Sequence, residues 1–130
     1  MVSRNNRPFI SWSRLKKSFV YASTGIIHTW KHEQNFRIHS MLIVLVLILA
    51  QLLNVPLYEQ ALLIIVIGGV LALELINTAV EHCVDLIVET YDVRAKIIKD
   101  AAAGAVFVFS LTAVIVGAMI FIPKILALFL

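Results

Sequence analysis

The stretch ALLIIVIGGVLALELINTAVEHCVD, residues 61–85, decides the fold. It opens with thirteen residues, Ala61 to Leu73, that carry no charge, and then places Glu74, Asn77, Glu81 and Asp85 on what must be the same helix. A run of this length and apolarity, with no proline before Pro123, predicts a helix that enters a lipid bilayer. At 1.5 Å per residue, Glu74 stands roughly 20 Å along a span whose hydrocarbon is about 30 Å thick. A carboxylate at that depth is expensive and marks a functional site, because its burial demands a partner or a purpose. The offsets of three, seven and eleven from Glu74 fall on one stripe about 80° wide, so a polar face continues toward the end of the helix. Carboxylates and an amide in one row repel one another unless a cation sits among them, and an all-oxygen set suits Mg²⁺ better than zinc.

Working outward, the whole chain of 130 residues is 61% hydrophobic with a mean hydropathy of +0.94, which excludes an ordinary soluble domain of this size. The run Met41–Ala50, flanked by Phe36, Ile38, Leu52 and Leu53, predicts a first span over 34–54, ended by Asn54-Val55-Pro56. The second is expected over 57–89 with an extension beyond the membrane. The third is expected over 100–122, opening on small residues that let helices approach closely in lipid. Ahead of them, Trp12, Leu15, Phe19, Ala22, Ile26 and Trp30 recur at steps of three and four. With Arg14, Lys17, Tyr21, Thr24, His28 and Lys31 on the other side, they predict an amphipathic surface helix over 9–31. The fold class expected is therefore all-α and integral to the membrane, one domain over 1–130 with three transmembrane helices and an N-terminal surface helix. Ten of the eleven Lys and Arg, Arg4 and Arg7 included, fall before the first span or between the second and third. That bias predicts a cytoplasmic amino terminus. The single cysteine, Cys83, excludes an intramolecular disulfide.

Several residues have ordinary readings when taken alone. Glu33 lies four residues before Arg37, the spacing of a local ion pair. Asp85 and Glu89 are read equally well as acids that pair with Arg and Lys of neighbouring helices or meet water at the membrane edge, and Lys99-Asp100 as interfacial charge at a helix start. His28, His32 and His39, at steps of four and seven, are read as interfacial polar packing. A small transporter would also place a carboxylate inside a short bundle, although it gives no reason for Glu33, Glu81, Lys99 and Asp100 to collect at one edge. A structural membrane subunit is a third reading. No G-x-x-x-x-G-K-[ST] or G-x-G-x-x-G is present, so a nucleotide would be held by side chains and metal.

Taken together, KHEQNFRIH at 31–39, ELINTAVE at 74–81 with Asp85, AK at 95–96 and KDAAAGA at 99–105 resemble the prokaryotic diacylglycerol kinase family. The stretch from His32 to His39 is similar to the Gram-positive branch, whose members phosphorylate undecaprenol; the alternative acceptor is diacylglycerol. The resemblance implies an ATP- and Mg²⁺-dependent lipid kinase of the bacterial cell membrane. It implies a homotrimer with cytoplasmic active sites between subunits, and no nucleic-acid partner. It implies Glu74 as general base on the lipid hydroxyl, Glu33 and Glu81 as ligands of Mg²⁺ on the ATP phosphates, and Asn77 in support. Nucleotide contacts are implied for Arg14, Tyr21, Glu33, Asn77, Glu81, Thr90, Tyr91, Asp92, Lys99 and Asp100. Lipid contacts are implied for Arg14, Glu74 and Ala103. Phosphoryl transfer asks mainly for positioning and charge neutralisation, so such a set can suffice.

Overall fold

The computed structural model describes residues 10–130; Arg4, Arg7 and the expected start of the surface helix at residue 9 lie outside that range. Four helices follow one another: α1 (Trp12–His32), α2 (Gln34–Leu52), α3 (Leu57–Ile87) and α4 (Val93–Leu126). The chain divides into two compact units, with α1 in the first and α2 to α4 in the second.

Within α1 the hydroxyls of Ser18, Ser23, Thr24 and Thr29 each donate to the carbonyl four residues earlier, so they are satisfied without water. Its aromatic stripe of Trp12, Phe19 and Trp30 is exposed, as an interfacial helix requires. The helix ends at His32, and Glu33, in extended conformation, separates it from α2. That break divides the three histidines between two helices: His28 and His32 stack on α1, 4.2 Å between ring centres, while His39 belongs to α2.

Helices α2, α3 and α4 have 19, 31 and 34 residues and are apolar enough to cross a membrane. At 1.5 Å per residue α3 is roughly 46 Å long, more than the hydrocarbon, so part of it must stand outside. Side chains such as Leu45, Ile65, Val108 and Met119 are exposed, which is affordable only where lipid is the solvent. This is an all-helical membrane protein.

The α2–α3 corner is set by local chemistry. Asn54 takes a positive φ of 48°, a conformation asparagine tolerates better than most residues. The Asn54 N–H donates to the Gln51 carbonyl and the Val55 N–H to the Ala50 carbonyl, at 3.1 and 2.9 Å, the paired bonds of a Schellman ending. Val55 and Ala50 then meet in an apolar cluster with Leu63, Ile120 and Phe121, and Pro56 opens α3. Near the same end, Lys124 of α4 pairs with Glu59 of α3, both side chains largely covered.

Helix α3 packs mainly on α4 and more narrowly on α2. Gly69 allows the closest approach, since a Cβ there would run into the Phe109 ring. The buried positions of α3 are Leu63, Val66, Val70, Glu74, Asn77 and Thr78, one continuous stripe that turns from apolar to polar at Glu74. Helix α4 begins seven residues before the expected 100, because Asp92 caps it: its carboxylate accepts from the Arg94 N–H at 2.7 Å. Lys99 and Asp100 accordingly sit in the second turn of a helix rather than at its start. The first and second spans end at Leu52 and Ile87, two residues short of the expected 54 and 89.

Candidate active site

Glu74 is 3% exposed, the most deeply buried charged residue described. Its Oε1 lies 3.1 Å from Nε2 of His39, which α2 presents from across the interface. A carboxylate withdrawn from water requires such a donor, since an unpaired charge in a low-dielectric setting is prohibitively costly. One turn further on, Asn77 donates from Nδ2 to Oε1 of Glu81 at 2.9 Å, while its own Oδ1 is buried without a partner. A second orphan, Oγ of Ser110, comes from α4. Glu74, Asn77 and Ser110, with Asn35, His39, Ala103, Val106 and Phe107, line a cavity of about 300 Å³. Buried polar atoms are normally satisfied, so two orphans in or beside one cavity mark it as a place that expects a ligand.

A second cavity, about 390 Å³, lies where α3 gives way to α4. Asp85, Thr90, Tyr91, Asp92, Lys96, Lys99 and Asp100 line it. Lys99 reaches back across the interface to both oxygens of Asp85, at 2.8 and 3.1 Å. This overturns neither reading of Asp85 but gives it a definite partner. The guanidinium of Arg94, together with its own N–H, holds the Asp92 carboxyl below the usual carboxylate range.

The sequence-predicted residues thus fall into groups. Glu74, Asn77 and Ala103 share the first cavity; Thr90, Tyr91, Asp92, Lys99 and Asp100 share the second. Glu81 is tied to the first group through Asn77. Glu33 lies 3.8 Å from the imidazole of His82, on the α3 turn that carries Glu81. Arg14 and Tyr21 are exposed on α1, in the other unit. Sequence reasoning gave His39 only an interfacial packing role and did not single out Ser110. A signal for His39 existed: Asn35 and His39 are four apart, hence on one face of α2, where an apolar span begins.

A bundle of membrane helices with a buried carboxylate, orphaned polar atoms beside it and a cation-bearing cavity at the end of the same helix pair defines a small intramembrane enzyme. Residues 20–121 match the prokaryotic diacylglycerol kinase family, and the chain belongs to it. It is 46% identical over 112 residues to the undecaprenol kinase of Bacillus subtilis, covering 86% of this chain and 91% of that one. It is 43% identical to a diacylglycerol kinase of Synechocystis, over 85% of this chain and 64% of the other. The diacylglycerol kinase of Escherichia coli K12 is 30% identical, over 80% and 85%. The chain is a membrane lipid kinase, and kinase chemistry implies ATP as phosphoryl donor. The transporter and structural-subunit readings are set aside.

Proposed function

We propose that the protein transfers the γ-phosphoryl group of ATP to the hydroxyl of undecaprenol, with Glu74 as the general base. The observation that carries the reading is the placement of Glu74: a buried carboxylate on a cavity wall, at the point where the buried face of α3 turns polar. The resemblance of the acceptor rests on the 46% identity to a kinase of that name. Diacylglycerol is the second reading, favoured by the names of the relatives at 43% and 30%.

In this reading the lipid hydroxyl enters the first cavity beside Ala103 and gives its proton to Glu74 as its oxygen bonds to the γ-phosphorus and the bond from that phosphorus to the β–γ bridging oxygen breaks, releasing ADP. The cavity around Asp85, Thr90, Tyr91, Asp92, Lys99 and Asp100 takes the nucleotide, and Lys99 supplies charge to phosphate oxygens; Arg14 and Tyr21 are nucleotide contacts by resemblance to the family alone. Glu33 and Glu81 would hold Mg²⁺, with Asn77 in support. The donors fit: Glu81 and the orphaned Asn77 Oδ1 offer oxygen alone. Mg²⁺ bound through nucleotide phosphates takes only one or two protein carboxylates, so the lack of a cluster of three or more His, Cys, Asp or Glu among the described residues is no obstacle. When bound, the ion neutralises charge on the phosphate oxygens. The single domain is cytoplasmic at its amino terminus and assembles as a homotrimer in the bacterial cell membrane. Ten of the eleven Lys and Arg support that orientation.

The test is transfer of labelled γ-phosphate from Mg-ATP by purified protein in mixed micelles, with undecaprenol and diacylglycerol offered side by side. Strong preference for undecaprenol is expected. Preference for diacylglycerol would keep the mechanism and replace the acceptor.

A further inference from the structure

The cavity that holds Glu74 has one basic group on its wall, His39, and the remaining lining is Asn35, Asn77, Ser110 and apolar side chains of α4. The imidazole Nε2 stands 3.1 Å from Glu74 Oε1. Its side chain is 25% exposed against 4% for that of Glu74, so the imidazole is the less buried member of the pair. The two residues come from different helices, and α2 otherwise packs on α3 only narrowly. A carboxylate on a helix has two free side-chain torsions beyond χ1, and nothing else lining this cavity supplies a basic group to orient it.

We infer that His39 is the positioning residue of the reaction: its Nε2–H fixes one oxygen of Glu74 and leaves the other to meet the lipid hydroxyl. The inference rests on the reading of Glu74 as base. The hydrogen bond does two things at once. It offsets the loss of hydration of a carboxylate that is only 3% exposed. It also locks the carboxylate plane, and a base misplaced by an ångström forfeits much of the advantage of pre-organisation. The arrangement has the logic of a catalytic group oriented by a second polar side chain, here with the roles of carboxylate and imidazole exchanged: the carboxylate reacts and the imidazole holds it. His39 need not exchange a proton with anything to do this.

The contrast with a merely structural histidine is sharp. His28 and His32 stack on each other, and His32 Nδ1 meets its own helix at the His28 carbonyl. His39 bonds across an interface to the most buried charged residue described.

The test is a pair of variants assayed with Mg-ATP and lipid. His39→Leu removes the donor and keeps the bulk, and is expected to lower kcat about 100-fold with KM for ATP and for lipid changed less than about threefold. His39→Gln places an amide N–H where Nε2 stands, and is expected to recover activity to within about tenfold of the parent. Equal, near-parent rates in both variants would overturn the inference. So would equal loss in both with KM intact, which would make the imidazole itself the reacting group, or a rise in lipid KM at unchanged kcat, which would make it a lipid contact. Should His39→Leu fail to fold, His39→Gln decides alone: a folded variant losing more than about tenfold in kcat sinks the idea. Glu74→Gln separates the two readings, since full activity there removes the base assignment whatever His39 does.

Discussion

The two ends of the α3–α4 pair handle charge in opposite ways. At one end Glu59 and Lys124 neutralise each other, Gln60 donates to the Val55 carbonyl at 2.7 Å and accepts from Gln51, and apolar residues from Ala50 to Phe121 close over them. Gln51, Tyr58, Glu59, Gln60 and Lys124 each have an internal partner there. At the other end Glu74 has a partner but sits on a cavity wall, Asn77 Oδ1 and Ser110 Oγ have none, and Lys99 leans on an exposed Asp85. Residues of the same kind serve closure in one place and leave unmet capacity in the other. Stability is concentrated where polar groups are saturated, and chemistry where they are not.

The largest effect that would sharpen this contrast is expected from Glu74→Gln. Turnover should fall by about 10³-fold or more, as loss of a general base allows, while nucleotide binding measured by equilibrium titration stays nearly intact. Near-normal activity would erase the distinction between the ends. Next comes Lys99→Met. Losing the cation that spans the second cavity should raise KM for ATP by about tenfold, with a smaller change in KM for lipid, and steady-state kinetics with each substrate varied would show it.

At the saturated end the readout is expected to change from activity to stability. Lys124→Met strands a largely covered Glu59 and should cost about 1–3 kcal/mol in unfolding from detergent, with kcat essentially unchanged. Pairing it with Glu59→Gln should recover most of that cost, because a partly buried ion pair is worth less than the penalty of breaking it. A large loss of turnover in the single variant would mean that the two ends are not separable.

The smallest effect concerns the cap of α4. Asp92 is held below the ordinary carboxylate range by Arg94, so its contribution to stability is full above the unfolded-state value, near 4, and is lost as pH falls through the lower folded-state value. The melting temperatures of the protein and of Asp92→Ala should differ at neutral pH and converge in acid. A difference that persists in acid would show that Asp92 acts through shape rather than charge.

Much of this was legible in sequence because membranes simplify folding: long apolar runs can only be helices there, and Glu74 announces itself by depth. The corner at Asn54 and Pro56 was equally readable. The early start of α4 was not, because a caps-first reading needs Asp92 to face Arg94, and the polar loop residues 90–92 offered several equivalent starting points. His39 was passed over for a different reason. A half-exposed histidine at a helix entrance reads as interfacial, and only the approach of α3 turns it toward Glu74. The roles of Thr90, Tyr91 and Asp92 came from resemblance, and what the structure adds is that they line one cavity with Lys99.

The unbroken α3 has one more implication. Glu59 and Glu74 lie fifteen residues apart on one rigid rod, so roughly 22 Å separates a charge pair suited to one headgroup layer from the carboxylate proposed as base. Such a rod measures the bilayer. In a membrane thicker than its design length the acceptor hydroxyl recedes from Glu74, and in a thinner one it overshoots; either mismatch must be met by tilt or local deformation of the lipid. With Glu74 as the base, the rate is expected to vary with membrane thickness, the length of a single helix serving as the gauge.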